Sequence, residues 1–472
     1  MVFDSLLYLL FLPVVYLLFL LVSRGKARVS FLLASSYVFY ACWNPYYLGL
    51  IVFSTVVDYF CSMQIGESSH KTRRKLFLVI SLFSNLGLLF FFKYYNFFID
   101  SFAGPFGIEA GGWGHNFLLP VGISFYTFQT IGYTIDVYRR DIEPETNFLQ
   151  FALYVSFFPQ LVAGPIERAK NILPQLSKAF TFSDSQFSSA LKLILLGLIQ
   201  KIVFANHFGS YVNVVFDNPE AYAGLPLLLG CLLFAFQIYY DFSGYTNIAI
   251  GSARLFGIDL MENFKGPYLC SSIREFWRRW HISLSTWFRD YLYISLGGNR
   301  VSTFKVYRNL LIVFVITGLW HGANWTFVIW GLIHGFFIII ERLGFDKVLK
   351  NLPRSVSVSY TFVIVCFAWI FFRAENLDKA LMVLSSCTQV FPFAISDLGV
   401  YTSWWKESEY WLVIVLLIIA IASHYWSYRD RLLDLLFAES SAIRYLKLSC
   451  LVLFLLIFGR FYDTTEFIYF QF

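Results

Sequence analysis

The stretch "ITGLWHGANWTFVIWGLIHG" (316–335) decides how this chain folds. It forms the middle of an apolar run, 309–341, that leads from one basic loop to another. Because basic loops collect on one side of a membrane, the run has to cross the membrane twice. We therefore predict two short tilted helices that are joined by a turn at "HGAN" (321–324).

The composition of the whole chain supports this interpretation. Of its 472 residues, 58% are hydrophobic and only 14% are charged, whereas roughly 25% are charged in an average soluble protein. The first segment, 2–22, is apolar over about the 20 residues that a membrane-spanning helix needs, and it lacks the basic start and cleavage site of a removable signal peptide. We predict an all-α polytopic membrane protein.

The charges of the loops predict the orientation of the chain. Loops rich in Lys and Arg alternate with loops that contain neither, and the two kinds should lie on opposite sides of the membrane. The basic loops are 23–30, 67–75, 138–145 and 167–178, and the others are 100–116 and 217–224. This asymmetry predicts that both the N-terminus and the C-terminus are extracytoplasmic.

The apolar segments predict twelve membrane spans. They lie near 3–22, 29–43, 46–65, 76–98, 117–137, 187–209, 224–248, 358–373, 410–427 and 445–461, with two more inside 309–341. The segment 148–165 is also apolar, but Pro159, Gly164 and Pro165 interrupt it between two basic loops. We predict a re-entrant or membrane-embedded segment there, with protein around its exposed backbone groups.

The longest polar interruption, 262–309, leaves two interpretations open. It is basic and rich in Trp, which is typical of an interfacial helix with its Trp side chains at headgroup level. It also fits a cationic cytoplasmic vestibule that attracts a phosphate-bearing substrate such as a coenzyme A thioester. The candidate donor-binding residues in this segment are Arg274, Arg278, Arg279, Arg289 and Asp290.

Two histidines, His321 and His334, fall inside apolar sequence. An imidazole at membrane depth needs a polar partner and generally faces a bundle interior or an aqueous cavity. Considered alone, a buried histidine is more often structural than catalytic. Near His321, however, Asn324 and the indole of Trp320 offer donors, and a neutral imidazole is able to take a proton from a hydroxyl nucleophile.

Other chemistries have no support in the sequence. The formal charge of +6 comes from short loops between the spans, so it does not indicate a nucleic-acid partner. The seven cysteines are scattered without a C-x-x-C pair and predict neither a disulfide framework nor a metal site. No phosphate-binding or dinucleotide-binding glycine motif is present, and we expect no bound cofactor.

Five motifs together resemble those of the membrane-bound O-acyltransferase family. They are "SFYTFQTIGYTIDVYR" (124–139), "FPQLVAGPIER" (158–168), "YYDFSGYTNIAIG" (239–251), "WRRWHISLSTWFRDYLYISLGGNR" (277–300) and "GLWHGANWTFVIWGLIHG" (318–335). Within the family, the chain is most similar to the bacterial polysaccharide branch, which contains alginate O-acetyltransferases and teichoic acid D-alanyl transferases.

The resemblance implies a fold with about 11–12 transmembrane helices, plus re-entrant or interfacial helices, around a central funnel or tunnel. It implies that His321, the histidine of "WHG", is catalytic at the constriction of that funnel. His281 matches a second active-site position. Asp241 and His334 belong to matching motifs, and for both a structural role is the favoured expectation.

The end of the chain, "FIYFQF" (467–472), places the phenol of Tyr469 among apolar neighbours. It resembles the end of a small membrane partner in the teichoic acid system, whose tyrosine is thought to carry the acyl group. We therefore divide the chain into a transferase core, 1–440, and a last span with an extracytoplasmic tail, 441–472. A tail that anchors on the membrane surface is the alternative.

Chain length permits the carrier role. Ten residues, 463–472, extend over roughly 33–36 Å, enough to enter a funnel from outside. In an extended tail, Phe467, Tyr469 and Gln471 would share one face.

The resemblance implies O-acetylation of an extracellular or cell-wall polysaccharide, in the plasma (inner) membrane of a bacterium. The donor would be acetyl-CoA or a similar thioester, and the partners would be membrane lipid, the polysaccharide acceptor and a separate extracytoplasmic acetyltransferase of an SGNH-hydrolase-like type. Transfer of D-alanyl or another acyl group is the alternative within the family. A transporter or flippase without acyl-transfer chemistry is the alternative outside it.

Overall fold

The computed structural model describes residues 1–22, 25–104, 118–162, 164–389, 407–429, 432, 436, 441–461 and 466–470. In these ranges all regular secondary structure is helical. The first α-helices are Leu6–Val22, Gly25–Ala41, Leu48–Glu67, Lys71–Leu89, Tyr95–Phe98, Ile123–Arg139, Phe148–Ser156, Phe158–Leu161, Ala169–Ser177, Asp184–Leu198, Asn206–Asp217 and Leu225–Leu255. The later ones are Ile273–Arg279, Ile282–Trp287, Thr303–His321, Trp325–Ile340, Asp346–Asn351, Arg354–Arg373, Leu377–Cys387, Glu407–Tyr428 and Ser441–Phe458.

Shorter helical turns of other kinds connect or extend these helices. The π-helical turns are Phe90–Tyr94, Ile99–Ala103, Ile199–Ala205, Phe288–Tyr293 and Glu341–Phe345, and the 3-10 turns are Pro219–Ala221, Pro267–Leu269 and Ile468–Phe470. π-helical turns are rare and occur often at functional sites. Three of them, Ile199–Ala205, Phe288–Tyr293 and Glu341–Phe345, contain residues described below.

Eight helical stretches of the described ranges are long and apolar enough to cross a membrane. They are Leu48–Glu67, Lys71–Phe102, Asp184–Asp217, Leu225–Leu255, Thr303–His321, Trp325–Asn351, Arg354–Arg373 and Trp411–Tyr428. The all-α polytopic membrane fold expected from the composition is therefore confirmed.

The four remaining predicted spans coincide with helices of 17 or 18 residues, namely Leu6–Val22, Gly25–Ala41, Ile123–Arg139 and Ser441–Phe458. Whether each of these crosses the membrane stays a prediction. The segment 148–165 contains two helices of nine and four residues, neither of which is long enough to span a bilayer.

The apolar run 309–341 folds as parts of two helices, Thr303–His321 and Trp325–Ile340, as predicted. The backbones of these two helices are in contact at glycine residues, which have no side chain to hold the helices apart. A Cβ atom on Gly318 would lie 2.2 Å from the carbonyl oxygen of Phe327, and one on Gly331 would lie 2.2 Å from that of Phe314. This close crossing fixes the end of the first helix, where His321 lies.

The chain divides into two compact units, Met1–Ile194 with Tyr245–Glu262 and Leu195–Gly244 with Asn263–Phe472. The division at residue 440 stays a prediction. The second unit contains every candidate site residue named above.

The first unit has a buried polar cluster between three of its helices. The fully buried carboxylate of Asp58 accepts hydrogen bonds from Ser81 Oγ at 2.5 Å and from Asn85 Nδ2 at 2.9 and 3.0 Å. The Asn85 carbonyl accepts in turn from Ser54 Oγ at 2.6 Å and from Thr130 Oγ1 at 3.3 Å. Polar groups that are shielded from water bond to one another, and here they join the helices.

Candidate active site

His281 lies at a break between the helices Ile273–Arg279 and Ile282–Trp287. Its backbone has a φ of 42°, in the left-handed region that side-chain-bearing residues rarely adopt. Such a conformation costs of order 1 kcal/mol or more, and it is concentrated at functional sites. The residues that follow are held in place, because the N–H groups of Ile282 and Ser283 donate to the backbone oxygen and the side-chain oxygen of Asn263 at 3.0 and 3.2 Å.

The imidazole of His281 is completely buried, and neither ring nitrogen has a hydrogen-bond partner among the described residues. Burial lowers the pKa of His281 to about 3. The ring is therefore neutral at physiological pH, with one nitrogen able to donate and the other able to accept a hydrogen bond.

His321 is the last residue of its helix and is 2% exposed. Its ring centroid lies 6.2 Å from that of His281. Trp320 lies beside both histidines, with centroids 5.8 Å from His281 and 5.0 Å from His321. The structure thus brings together the two histidines that the family resemblance implied, although they are far apart in the sequence.

The C-terminal tail reaches the same place. The ring centroid of Tyr469 lies 5.4 Å from that of His321, 6.1 Å from that of His281 and 4.6 Å from that of Phe242. The phenol oxygen is buried. We refer below to the ring cluster, which consists of Phe242, His281, Trp320, His321 and Tyr469.

The electrostatics of Tyr469 keep its proton in place. Burial, and secondly the negative charge of Asp241, raise the pKa of the phenol well above its ordinary value. At neutral pH this group is therefore a phenol and not a phenolate. It becomes a nucleophile only when a neighbouring base removes the proton.

The tail is not extended, so the shared face predicted for an extended chain is wrong. Ile468–Phe470 is a 3-10 turn, in which the N–H of Phe470 donates to the carbonyl of Phe467 at 2.8 Å. Phe467 and Tyr469 are nevertheless neighbours, with centroids 5.6 Å apart. Gln471 lies outside the described residues.

A buried ion pair adjoins the tail. Lys201 Nζ lies 2.6 Å from Asp241 Oδ1, and the two side chains are 0% and 2% exposed. The other carboxylate oxygen of Asp241 accepts the backbone N–H of Ile468 at 2.7 Å. The sequence analysis missed Lys201, although a lysine within the apolar run "LGLIQKIVFANHFG" (196–209) is the kind of intramembrane charge that marks function.

A cavity of about 470 Å³ lies in the same unit, and four arginines line it: Arg274, Arg278, Arg289 and Arg342. The Arg289 side chain is 60% exposed, so the cationic part of the cavity is open. Thr317 also lines the cavity and precedes His321 by one helical turn, or about 6 Å along the axis.

Aromatic rings connect the cavity to the ring cluster. Trp277 lines the cavity, and its ring centroid lies 5.7 Å from that of Trp330. The Trp330 ring lies in turn 4.9 Å from His321. The predicted cationic segment and the predicted catalytic histidine are therefore neighbours.

The tryptophans of the segment 262–309 pack inside the protein. Trp277, Trp280 and Trp287 are only 8%, 0% and 7% exposed, so their rings contact protein on nearly all sides. The position of the segment at headgroup level stays a prediction. The segment is a wall of the cavity and of the ring cluster.

Two predicted donor-binding residues have other partners. Arg279 does not line the cavity, because its guanidinium packs over the Tyr428 ring at 4.2 Å and lies 3.5 Å from Glu275. Asp290 pairs with Arg289 at 2.7 Å, where it restrains one of the cavity arginines.

The surroundings of Asn324 and His334 are also defined by the structure. Asn324 caps a helix: its side chain accepts from the N–H of Thr326 at 3.0 Å and donates to the carbonyl of Glu375 at 2.9 Å. His334 is fully buried among aromatic rings, with Trp330 and Trp277 at 5.0 and 5.1 Å.

Comparisons with known proteins identify the family of this chain. The model of the membrane-bound O-acyltransferase family matches residues 138–382. The chain is 42% identical over 405 residues to "Probable alginate O-acetylase AlgI" of Azotobacter vinelandii, covering 84% of this chain and 80% of that protein. It is 38% identical over 412 residues to "Peptidoglycan O-acetyltransferase" of Helicobacter pylori, covering 79% and 77%.

A more distant relative is "Teichoic acid D-alanyltransferase" of Streptococcus thermophilus, 31% identical over 246 residues that cover 49% of this chain and 58% of that protein. The chain belongs to the membrane-bound O-acyltransferase family. It is an O-acyltransferase, and the alternative of a transporter or flippase without acyl-transfer chemistry is overturned. The match to the family includes His281 and His321, whereas Tyr469 lies beyond it.

Proposed function

We propose that this protein transfers an acetyl group from a cytoplasmic thioester, acetyl-CoA, toward an extracytoplasmic polysaccharide, and that Tyr469 is the first acceptor. The single observation that carries the proposal is that the buried phenol of Tyr469 lies beside two buried histidines. Its ring centroid is 5.4 Å from that of His321 and 6.1 Å from that of His281. A tail that served only as a membrane anchor would have no reason to bring its phenol there.

The cavity is suited to the donor. Coenzyme A carries several phosphate charges, and arginine is the side chain that binds phosphate through paired charge-assisted hydrogen bonds. Four arginines line the cavity, while Trp277 and Phe314 make its wall apolar toward His321. We infer that the nucleotide end of the donor binds the arginines and that the thioester points toward the ring cluster.

This arrangement avoids a large electrostatic cost. Moving an isolated charge into hydrocarbon costs on the order of tens of kcal/mol by the Born estimate. An acetyl group is neutral, and it passes from a thioester at one side to a phenol at the other while the charged coenzyme stays behind.

In the first half-reaction, the phenol oxygen of Tyr469 attacks the thioester carbonyl while His321 accepts the phenolic proton. The tetrahedral intermediate collapses, the C–S bond breaks, and the imidazolium returns the proton to the departing thiolate. The products are O-acetyl-Tyr469 and free coenzyme A. His281, which is neutral, donates a hydrogen bond to the oxyanion of the intermediate.

In the second half-reaction, a hydroxyl from the extracytoplasmic side attacks the tyrosyl ester. This hydroxyl belongs to the polysaccharide or to a separate SGNH-hydrolase-like acetyltransferase that relays the group. The ester bond to Tyr469 breaks, and the phenol regains a proton from His321, which has taken it from the attacking hydroxyl. A phenol is a good leaving group compared with a sugar hydroxyl, so the transfer runs outward.

The surroundings of Tyr469 favour acetyl over D-alanyl. A D-alanyl group carries an ammonium, which needs a carboxylate partner in a dry site. Among the described residues next to the tail, the carboxylate of Asp241 is already engaged by Lys201 at 2.6 Å and by the Ile468 N–H at 2.7 Å. The names of the alginate and peptidoglycan relatives also support a polysaccharide acceptor.

The proposed location is the inner membrane of a bacterium, with both termini extracytoplasmic. The distribution of Lys and Arg among the loops supports this orientation. It places the arginine-lined cavity toward the cytoplasm, where acetyl-CoA is available, and the tail toward the acceptor.

The test is to incubate the purified full-length protein with radiolabelled acetyl-CoA and to measure both the release of coenzyme A and the label on the protein. We expect a hydroxylamine-sensitive acetyl ester on Tyr469, found by mass spectrometry. Tyr469→Phe should abolish the label and the transfer to polymer, whereas Tyr425→Phe, at a half-exposed position on another helix, should change neither. Full polymer acetylation by Tyr469→Phe would contradict the carrier role and leave surface anchoring.

A further inference from the structure

The buried ion pair of Lys201 and Asp241 also binds the backbone of the C-terminal tail. The carboxylate has Lys201 on one oxygen and the N–H of Ile468 on the other, at 2.6 and 2.7 Å. Ile468 directly precedes Tyr469, so this hydrogen bond sets the position of the phenol. Phe467 and Ile468 are only 1% and 2% exposed, so this part of the tail is packed inside the protein.

The backbone is arranged to bring Lys201 to Asp241. Gly244 follows Asp241 by three residues on the same helix and therefore shares its face. A Cβ atom on Gly244 would lie 2.9 Å from the carbonyl oxygen of Gly197 and 3.0 Å from the backbone nitrogen of Lys201. Only glycine allows the two segments to approach so closely.

The π-helical turn that carries Lys201 also holds the end of the last helix. The carbonyl of Ile202 accepts the N–H of Arg460 at 3.1 Å, and the side-chain amide of Asn206 donates to the carbonyl of Arg460 at 3.1 Å. The His207 ring nitrogen Nε2 lies 2.9 Å from the carbonyl oxygen of Phe458. Residues 199–207 therefore hold the chain just before the tail. Through the ion pair of Lys201 with Asp241, which accepts the Ile468 N–H, they are also linked to the tail itself.

We propose that Asp241 and Lys201 form a reversible binding site for the backbone of the C-terminal tail, and that they act as positioning residues for Tyr469. The ligand of this site is a peptide N–H group. Lys201 compensates the carboxylate whether or not the tail is bound, so the tail is able to leave without stranding a single buried charge, a state that is strongly unfavourable. A carrier has to deliver its acyl group and return, and this pair gives it a defined position to return to.

The inference rests on the proposed carrier role of Tyr469, but the seating of the tail is measurable without any transfer. Two double variants test the side-chain oxygen of residue 241 that accepts the hydrogen bond from the Ile468 N–H. Asp241→Leu with Lys201→Met removes both charges and the acceptor, and an apolar replacement of a buried ion pair is usually tolerated by the fold. Asp241→Asn with Lys201→Met removes both charges but keeps a side-chain oxygen that accepts the Ile468 N–H.

Tail seating is read from digestion of the purified full-length chain by a carboxypeptidase, with intact-mass spectrometry following the loss of Phe470 and Tyr469. We expect the Leu/Met variant to lose them at least about tenfold faster than the wild type, which corresponds to about 1.4 kcal/mol, and the Asn/Met variant to recover most of the protection. Thermal unfolding of both variants confirms that they are folded.

Acyl transfer provides the second measurement. In the Leu/Met variant we expect kcat to fall by about the same factor as the rate of tail digestion rises, with KM for acetyl-CoA unchanged. In the Asn/Met variant we expect kcat to be restored. Equal protection of the tail in the Leu/Met variant and the wild type would overturn the tail-binding site. Faster digestion with normal polymer acetylation would instead retain the site and contradict the carrier function of Tyr469.

Discussion

Two buried histidines of this protein lie on neighbouring parts of one helix pair, and their surroundings differ. His321, in the ring cluster, faces the phenol of Tyr469 at a centroid distance of 5.4 Å and a second histidine at 6.2 Å. His334 is packed among tryptophan and phenylalanine rings, and neither of its ring nitrogens has a hydrogen-bond partner among the described residues.

Burial alone does not distinguish the two histidines, since their side chains are 2% and 0% exposed. What separates them is the neighbouring phenol of Tyr469, which faces His321. Nearness to the cavity does not separate them, because Trp277, which lines the cavity, contacts His334 at 5.1 Å. Substitutions at the two histidines and around them should therefore have different consequences for acyl transfer.

Replacing His321 by Ala should reduce acyl transfer the most. Loss of a general base that also returns the proton costs about 10²–10⁴-fold in kcat. The measurement is the acetyl-CoA-dependent release of coenzyme A in membranes. Transfer at wild-type rate by this variant would remove the catalytic distinction between the two histidines.

His281→Gln should follow, with a loss of about 10²-fold in kcat if the neutral ring donates to the oxyanion. Glutamine retains a donor but places it differently, and it does not favour the left-handed backbone found here. Steady-state kinetics at saturating acetyl-CoA give the value. An effect confined to KM would assign His281 to donor binding.

The arginines of the cavity should affect the donor and not the chemistry. Arg278→Gln combined with Arg289→Gln is expected to raise KM for acetyl-CoA about tenfold or more, since each charge-assisted hydrogen bond contributes about 1.5–3 kcal/mol, while kcat stays unchanged. Arg279→Gln is the matched control because Arg279 lies against Tyr428, outside the cavity. An equal rise in KM for the control would show a general charge effect.

His334→Phe should change kcat less than about threefold, because the aromatic ring is replaced by one of similar shape. Thermal stability should stay the same or rise, since the variant removes polar nitrogens that have no partner in the described structure. A loss comparable to that of His321→Ala would mean that His334 takes part in the reaction.

The last prediction concerns the stability of the fold, rather than acyl transfer, as a function of pH. His281 stays neutral in the folded protein down to about pH 3, while the unfolded chain binds a proton near pH 6.5. The unfolded state therefore binds more protons between these values, and stability falls by up to about 1.4 kcal/mol for each pH unit below 6.5.

His281→Gln should flatten this dependence, which thermal unfolding at pH 5 and pH 7 would reveal. His70→Gln, at an exposed histidine, serves as the control and should leave the dependence as it is. An identical pH dependence in both variants would show that His281 is not the group responsible.

Much of the fold follows from the sequence because membrane spans obey simple rules. Apolar length and the charge of the loops placed helices at each of the twelve predicted positions, including the turn between His321 and Trp325. The segment 262–309 was ambiguous, since a basic, Trp-rich sequence has the same composition whether it faces lipid headgroups or lines a cavity. Only its packing shows that Trp280 is fully buried.

The site was predicted in part. Motif resemblance identified His281, His321 and Tyr469 as candidates, and the charge of the segment identified Arg274, Arg278 and Arg289. Asn324 was a candidate as a donor near His321, and Arg279 by the charge of its segment, but their side chains are used for a helix cap and for a ring contact. Lys201 and Arg342 were missed because their partners are distant in the sequence.

By itself the sequence determined that this chain is a helical membrane protein of the O-acyltransferase family and which residue types carry its chemistry, because hydropathy, loop charge and motif spacing are local properties. Tertiary structure alone decided that the phenol of residue 469 lies beside histidines 281 and 321, and that the carboxylate of residue 241 binds both a lysine and the tail backbone. The physical reason is that groups as far apart in the sequence as Asp241 and Ile468, which are separated by 227 residues, come together only through helix packing, with glycines at the closest crossings.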